Sequence, residues 1–318
     1  MKVFLTGAGG FLGSAITNAA AASGHSVLAL YRPCSRIEPP SELVEPVKGD
    51  LRQRGDWTEK LAEANCVVHC AAAASGDLAT QLTGTVLATE NLLAALPEGL
   101  QRFVHISSFS VYDFSAPGPF GRLDEESVLE PHPLRRDAYT QTKLIQERMI
   151  RAHCNAKDIP LVVLRPGAIY RTAADWDYGR ALRAGPFDLI FGPLSSMRLV
   201  HVDDCASAVI AAIDAPLERE LVINIVGSKP ITYWGLYRRA RQSGEMLGIP
   251  IPVPYMLVRM LGGAAWVASR VFFEGRARLP EWLDLPRQEA RWRSLSYSNR
   301  RARAELGWHP DRDCAIAD

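Results

Sequence analysis

The chain has 318 residues, of which 47% are hydrophobic and 22% are charged, a composition typical of globular proteins. A chain of this length buries enough surface on folding to be stable without disulfides or structural metals. Its 36 basic and 35 acidic residues leave a formal net charge of +1, so no long-range field gathers nucleic acid or acidic membranes.

Six cysteines are scattered along the chain, with no C-x-x-C pair and no cysteine–histidine cluster. The sequence therefore predicts neither a metal site nor a disulfide framework. Reduced cysteines are typical of the cytoplasm, and no signal-peptide pattern precedes the first apolar run. We expect a soluble, cytoplasmic protein that binds no nucleic acid.

The first half of the chain alternates short β-branched runs with helical patterns, which predicts βαβ units on a parallel sheet. Strands are expected at 3–6, 26–31, 44–47, 66–70, 102–107 and 161–165, and helices at 11–23, 57–63, 79–96 and 138–154. The fold class is therefore α/β, with a doubly wound parallel sheet.

Beyond Pro166, proline and glycine interrupt the pattern, although a late strand at 222–226 is expected to rejoin the sheet. The apolar stretch 256–273 predicts a buried or pocket-lining helix. A helix lying on a membrane surface is the alternative, and stable membrane insertion is not expected.

A glycine-rich turn follows the first strand. Glycines at a strand-to-helix turn let the backbone approach a pyrophosphate, and the helix that follows directs its free N–H groups at the phosphates. A plain tight turn is the alternative, but the position between strand and helix predicts dinucleotide binding. The expected contacts are Gly7, Gly10, Phe11, Leu12 and Gly13.

The end of the second strand favours NADP over NAD. NAD sites usually place an acid there for the ribose hydroxyl, whereas this chain has Tyr31 and Arg32, followed by Arg36. A guanidinium suits the 2′-phosphate of NADP. The alternative is that Arg32 stacks on adenine or faces solvent, in which case the cofactor is NAD.

Tyr139 and Lys143 lie four residues apart on the predicted helix 138–154, on one face. An ammonium one turn from a phenol favours the phenolate, so the pair can exchange a proton with a carbinol oxygen. Ser107 and Ser108 end the strand before this helix, at the edge where open α/β sheets bind ligands. We predict Ser108, Tyr139 and Lys143 as catalytic residues.

The chain resembles the extended short-chain dehydrogenase/reductases, also called the NAD-dependent epimerase/dehydratase family. The resemblance rests on the G-x-x-G-x-x-G spacing, on His69-Cys-Ala-Ala72, on the Tyr139/Lys143 helix and on Arg165-Pro-Gly-Ala168. It implies a Rossmann-type domain at 1–166, a mainly substrate-binding region at 167–318 and a homodimer. It also implies cofactor contacts at Asp50, Leu51, Cys70, Ala71, Ala72, Ser107, Tyr139, Lys143, Pro166, Gly167 and Ala168.

Departures from the family pattern bear on the substrate. Thr85 stands where the family has an asparagine that supports a proton relay near the lysine, and Ala168 replaces an asparagine that touches sugar nucleotides. Phe109 and Ser110 stand where a dehydratase would have an acid pair. The expected substrate contacts are Ser108, Ser110, Tyr112 and Arg198, although Arg198 can instead pair with Asp203 or Asp204.

The apolar stretch 256–273 and the end of the chain resemble the 3β-hydroxysteroid dehydrogenase and dihydroflavonol reductase branch. We therefore favour a net reductase of a small apolar or aromatic ketone. A nucleotide-sugar epimerase using bound NAD is the alternative. A non-catalytic dinucleotide-sensing protein is the alternative from another class, and the retained Tyr139 and Lys143 argue against it.

Overall fold

A seven-stranded parallel sheet forms the centre of the computed structural model, which describes residues 1–35, 39–118, 120–172, 182–217, 220–242, 244, 247–274, 276–277 and 279–312. In chain order its strands are β1 (Lys2–Thr6), β2 (Ser26–Tyr31), β3 (Val44–Lys48), β4 (Cys66–His69), β5 (Arg102–Ile106), β6 (Leu161–Pro166) and β7 (Leu221–Ile225). Their spatial order is β7-β6-β5-β4-β1-β2-β3, with every pair parallel. The predicted doubly wound sheet is confirmed.

Helices cover both faces of this sheet. They are α1 (Phe11–Ala22), α2 (Trp57–Ala62), α3 (Leu78–Gln81), α4 (Ala88–Ala94), α5 (Ala138–Ala156), α6 (Val202–Asp214), α7 (Tyr233–Gln242), α8 (Tyr255–Phe273), α9 (Leu285–Trp292) and α10 (Arg300–Leu306). On one face Ile16 of α1 packs with Val209 of α6. On the other, Leu61, Leu92 and Ile150 bring α2, α4 and α5 together. Because both faces of the sheet are buried, the central strands consist mainly of consecutive apolar residues and do not alternate apolar with polar ones.

The sheet fixes the position of the site by its topology. β1 and β4 are neighbours, while β2 and β3 extend the sheet in the opposite direction from β5, β6 and β7. The chain connections therefore diverge at β1 and β4, which leaves a crevice at the carboxyl ends of these strands.

The segment expected as one helix at 79–96 is divided. Between α3 and α4 lies a wider, π-helical turn, Leu82–Leu87. The hydroxyl of Thr85 accepts a hydrogen bond from the Ala73 N–H at 2.9 Å, which ties this turn to the loop after β4. A π turn keeps apolar residues on one face, so the sequence pattern does not reveal it.

The late strand does rejoin the sheet, since β7 pairs in parallel with β6. Trp308, close to the end of the described chain, is buried in the core formed by α1 and α6. The parts of the chain on either side of residue 166 therefore share one core, and the assignment of cofactor binding to the first and mainly substrate binding to the second stays a prediction.

The second half adds short strands outside the main sheet. Ala168–Tyr170 pairs with Leu199–His201, Phe187–Phe191 pairs with both Leu182–Ala184 and Ile249–Val253, Ser196–Met197 pairs with Ile231–Thr232, and Arg122–Leu123 pairs with Ser296–Tyr297. They surround a smaller core in which Phe191 stacks on Trp282 and meets Trp292 edge-on.

The helix predicted over 256–273 exists as α8, but the expectation that it is buried is wrong. Its buried residues are Val258, Gly262 and Ser269, which form one narrow face. Met260 and Phe272 are 69% and 76% exposed. The sequence misleads here because the outer face is as apolar as the inner one. By length and composition, α8 is the one helix among the described residues that meets the requirements for crossing a membrane.

Candidate active site

The glycine turn between β1 and α1 is shaped by its own packing. Gly7 has φ +74°, and a Cβ at Gly13 would lie 2.0 Å from the carbonyl oxygen of Gly7. Internal contacts therefore require glycine at both positions. Gly9 is exposed, and a Cβ there would meet nothing closer than the Tyr31 ring at 3.4 Å. The fold itself therefore leaves room for a Cβ at Gly9.

The N-terminus of α1 faces this turn without a side-chain cap. Gly10 is the N-cap residue, and the first turn contains no acid. The first N–H groups of a helix lack intrahelical partners and carry the positive end of its dipole. Leu12 is buried, and the exposed Phe11 ring packs under the Arg171 guanidinium at 4.9 Å. The open cradle and the free N–H groups fit a dinucleotide pyrophosphate.

The predicted adenosine end of the site contains both basic and acidic side chains. Tyr31 is half-buried beside Gly9, and Arg32 is exposed at the end of β2. Asp50 receives hydrogen bonds from the Arg52 backbone and guanidinium, and these bonds lower the pKa of its carboxyl. Leu51 is buried, and its carbonyl accepts from Asn91. Arg36 lies outside the described residues.

Lys143 lies in the interior at the carboxyl end of β5. It is 3% exposed, and its ammonium donates to the Ile106 carbonyl and to Oε1 of Gln146, each at 2.7 Å. Burial lowers the pKa of Lys143 to about 8. Tyr139 is half-buried one helical turn earlier, where Asp137 caps α5 by accepting from the Thr140 N–H. Tyr139 and Lys143 thus lie on the same face of α5, one helical turn apart, with Lys143 buried and Tyr139 partly exposed.

Ser108 lies directly beyond β5 in extended backbone, and its side chain is partly exposed. Its hydroxyl oxygen accepts from the Ser110 N–H at 3.1 Å, which orients the hydroxyl but leaves its proton available. Ser107 is different. Its hydroxyl is buried and donates to the Glu147 carboxylate at 2.5 Å, so only the backbone of Ser107 remains for a cofactor contact.

A buried ion pair supports the floor of the site. Arg165 donates two hydrogen bonds to the Glu147 carboxylate. It also donates to the Tyr112 hydroxyl at 2.9 Å. Burial alone would raise the pKa of Glu147, but the hydrogen bonds and charge of Arg165 lower it. This pair links α5 to β6, and sequence reasoning missed it because neither side chain is part of a catalytic motif.

The predicted substrate role of Tyr112 needs correction. Tyr112 is 0% exposed, and its hydroxyl donates to Asn224 at 2.7 Å while accepting from Arg165. Burial raises its pKa to about 12. Its ring and hydroxyl are therefore part of the core, because the turn after Ser108 directs this side chain beneath the sheet edge and not into the crevice.

The remaining predicted contacts lie around the same edge. Arg198 donates to the Ala290 carbonyl at 2.6 Å, and its guanidinium lies 4.5 Å from the Phe114 ring centroid. Its described partners are thus neither Asp203 nor Asp204. The Ser110 hydroxyl is buried with no hydrogen-bond partner among the described residues.

The loop that follows β6 packs against the backbone of Arg198. Pro166 ends this strand, and a Cβ at Gly167 would lie 2.5 Å from the Arg198 carbonyl oxygen. The Ala168 N–H donates to the same oxygen at 2.7 Å. These contacts fix the loop backbone, and Ala168 contributes no polar side chain to the site.

The loop that contains Cys70, Ala71 and Ala72, predicted to lie by the nicotinamide, follows β4 at the carboxyl end of that strand. Cys70 and Ala72 are half-buried, and burial raises the pKa of the Cys70 thiol to about 11, so the thiol stays protonated. The Ala71 N–H donates to Thr6 at 3.2 Å and its carbonyl accepts from Gln146. Gln146 was missed, although its place three residues after Lys143 was a usable signal.

The doubly wound sheet, the glycine cradle and the Tyr139/Lys143 helix define a nicotinamide-dinucleotide-dependent enzyme of the extended short-chain dehydrogenase/reductase class. The chain belongs to the NAD dependent epimerase/dehydratase family, whose sequence profile matches residues 3–225. Within the described residues no group of three or more histidine, cysteine, aspartate or glutamate side chains is placed to hold a metal ion.

Similar proteins include both reductases and epimerases. The chain is 33% identical over 175 residues to the 4-hydroxy-2-methyl-3-oxo-4-farnesyl-3,4-dihydroquinoline-1-oxide ketoreductase of Stigmatella aurantiaca, covering 54% of this chain and 51% of that protein. The chain thus spans about half the length of this relative. It is 30% identical to the UDP-glucose 4-epimerase of Mycolicibacterium smegmatis (strain ATCC 700084 / mc(2)155), covering 67% of this chain and 73% of that one.

A solved structure shares the fold over almost the whole chain. The UDP-glucuronic acid 4-epimerase from Bacillus cereus, solved in complex with NAD, superimposes with a TM-score of 0.70 at 19% identity. The match covers 98% of this chain and 94% of that one.

Proposed function

We propose that the protein is an NADP-dependent reductase that interconverts a small apolar or aromatic ketone and its secondary alcohol. The observation that carries the proposal is the buried Lys143 ammonium, which donates to the Ile106 carbonyl at the carboxyl end of β5 and lies one helical turn after Tyr139 on α5. A buried cation next to a phenol is costly to maintain, and perturbed groups of this kind cluster at functional sites.

The proposed chemistry assigns one role to each of these side chains. Ser108 donates its free hydroxyl proton to the substrate oxygen and holds that oxygen against Tyr139. Tyr139 passes a proton to the same oxygen on reduction and accepts one on oxidation. Lys143 makes the phenol a better acid by stabilising its anion. A bound nicotinamide dinucleotide supplies or accepts the hydride at the carbon.

The substrate class is supported by what surrounds the site. Ala168 adds no polar side chain to the loop after β6. The Stigmatella aurantiaca relative is named for a ketone whose dihydroquinoline ring carries a farnesyl chain.

Tyr139→Phe tests the catalytic assignment. Because the variant retains the ring and loses only the proton-transferring hydroxyl, turnover of a ketone substrate should fall by about 10²- to 10⁴-fold. NADPH affinity, measured by fluorescence titration, should stay within about twofold of the wild type. A variant with undiminished turnover would refute the assignment.

The epimerase remains the competing outcome. An epimerase returns its cofactor unchanged, so it retains bound NAD and does not consume reduced cofactor. Interconversion of a UDP-sugar by the purified protein, without net oxidation of NADPH, would replace the reductase proposal.

A further inference from the structure

The ammonium of Lys143 is held by two acceptors, and one of them is the side chain of Gln146, three residues later on α5. Gln146 is 0% exposed, so water does not compete for its amide. We propose that Gln146 is a positioning residue that holds the Lys143 ammonium beneath Tyr139, in place of the family's asparagine relay that Thr85 has lost. This inference rests on the proposed roles of Tyr139 and Lys143.

The ammonium fixes which way the Gln146 amide faces. An ammonium has donors only, so the group 2.7 Å away must be the amide oxygen. The amide nitrogen then faces the opposite way, where it has two acceptors. One is the Ala71 carbonyl at 3.2 Å, and the other is the Thr89 hydroxyl at 2.9 Å. Both of its protons are thereby used.

The hydrogen-bond partners of His69 determine its tautomer. Thr89 donates its hydroxyl proton to the Thr85 carbonyl at 2.6 Å, so its oxygen only accepts from its other neighbours. The Nε2 of His69, 2.9 Å from that oxygen, must therefore carry a proton. The Nδ1 of His69 then accepts from the Thr6 hydroxyl at 2.7 Å. The 3.1 Å approach of Gln146 Nε2 to His69 Nε2 brings two donors together and is not a hydrogen bond.

In this network each hydrogen bond has one possible donor and one possible acceptor, and each donor named above has an acceptor. The Thr6 oxygen accepts from the Ala71 N–H, which closes the network onto the loop after β4. Reversing the Gln146 amide would turn an N–H group toward the ammonium and bring its oxygen against the Ala71 carbonyl, so two hydrogen bonds to Gln146 would be lost. The network therefore holds Oε1 toward Lys143 in a single orientation.

Thr85 does not take over the lost relay. Its hydroxyl accepts from the Ala73 N–H at 2.9 Å and its carbonyl accepts from Thr89. Its described contacts thus serve the π-helical turn and the supporting network, while Gln146 contacts Lys143 directly.

Removing the amide oxygen has a defined electrostatic consequence. With one acceptor fewer, the buried ammonium is less stable, so the pKa of Lys143 falls below its present value of about 8. A weaker cation stabilises the Tyr139 phenolate less, and the pKa of Tyr139 rises. The other titratable groups that face Lys143 are His69, Cys70, His105 and Glu147. The first three are neutral near pH 7 because burial holds them so, and Glu147 is paired with Arg165.

The experiment compares Gln146→Met with Gln141→Met, a matched change on α5 at a glutamine whose amide donates to the Arg136 carbonyl. Alcohol oxidation is followed across pH. Gln146→Met should lower kcat by about 10- to 100-fold, the equivalent of one hydrogen bond to a charged group, and move the rising limb of the profile to higher pH. NADP affinity should change by less than about twofold, and Gln141→Met should leave both quantities unchanged.

Two further measurements separate positioning from general destabilisation. In a Lys143→Met background, Gln146→Met should cause no further loss of kcat, whereas an additive loss would overturn the proposal. Carbon-13 NMR of labelled lysine reads the Lys143 pKa without substrate. That pKa should fall in Gln146→Met and rise in Gln146→Glu, which also serves if the methionine variant does not fold. An unchanged Lys143 pKa overturns the inference, whereas shifted values without any oxidoreductase activity would instead refute the proposed function.

Discussion

At the residue scale, we propose that Arg32 sets the choice between NADP and NAD. It is exposed at the end of β2, where an NAD site would have an acid. Arg52, another cation among the described residues near this corner, is held by Asp50 at 2.6 Å. Arg32 is therefore the more available partner for a 2′-phosphate, and charge-assisted bonds of this kind are strong.

Arg32→Ala should weaken NADPH binding by about 10- to 100-fold and change NADH binding by less than about threefold. Fluorescence titration with the two reduced cofactors measures both effects. Arg54→Ala, an exposed arginine on the following loop, is the matched control. Equal losses for NADPH and NADH would show that Arg32 contacts a part common to both, such as adenine.

At the element scale, the turn between β1 and α1 separates glycines required by the fold from one required by the ligand. A Cβ at Gly13 would collide with the Gly7 backbone, whereas one at Gly9 has room. Gly13→Ala should therefore lower the free energy of unfolding by about 1–3 kcal/mol or more. Gly9→Ala should leave the Tm unchanged but weaken NADPH binding by at least about tenfold. Thermal melts and titrations of the two variants measure this contrast, and a destabilised Gly9→Ala would contradict it.

The helix α8 is held to the body along its inner face. The buried Gln288 amide donates to the carbonyl of Val258, and a Cβ at Gly262 would collide with Gln288 and Leu283. Insertion across a membrane would break these contacts and bury Arg259, whose partner is Glu289. We therefore expect carbonate washing of expressing cells to release the protein from any membrane fraction. Release by detergent alone would contradict this expectation.

At the scale of the whole molecule, the fully buried His69 and His105 make the free energy of unfolding depend on pH. Burial, with the charge of Lys143, lowers the pKa of His69 to about 3 and the pKa of His105 well below its usual value. In the unfolded chain both histidines take up protons near pH 6.5. Stability is therefore retained above that pH and lost as the pH falls from about 6.5 toward 3, because the unfolded state binds more protons.

His105→Leu should reduce this loss, because it removes one of the two groups. Urea denaturation at pH 7 and pH 5 measures the difference in unfolding free energy between wild type and variant, with the exposed His132→Leu as control. An equal fall in stability for His105→Leu and wild type would contradict the account.

The sequence predicted the parts of the molecule that follow from local chemistry. Strands with continuous apolar runs, the glycine turn and the Tyr139/Lys143 spacing are short-range patterns, and the sheet confirms the fold they predicted. The predicted substrate role of Tyr112 was wrong because a side chain that follows a strand can point either into the crevice or into the core. The hydrogen-bond partners that hold Tyr112 in the core, Asn224 and Arg165, lie far from it in sequence. The exposure of α8 and the amide network of Gln146 likewise depend on distant partners.

The proposed reaction is a net transfer of hydride from NADPH to an apolar ketone. The most direct measurement incubates the purified protein with NADPH and a panel of alkyl and aryl ketones, beside UDP-glucose and UDP-glucuronic acid, and follows reduced cofactor and products together. The account predicts that NADPH is consumed in equal amount to the alcohol formed, and that Tyr139→Phe abolishes both. Tightly retained NAD, no NADPH consumption and an epimerised UDP-sugar would contradict it.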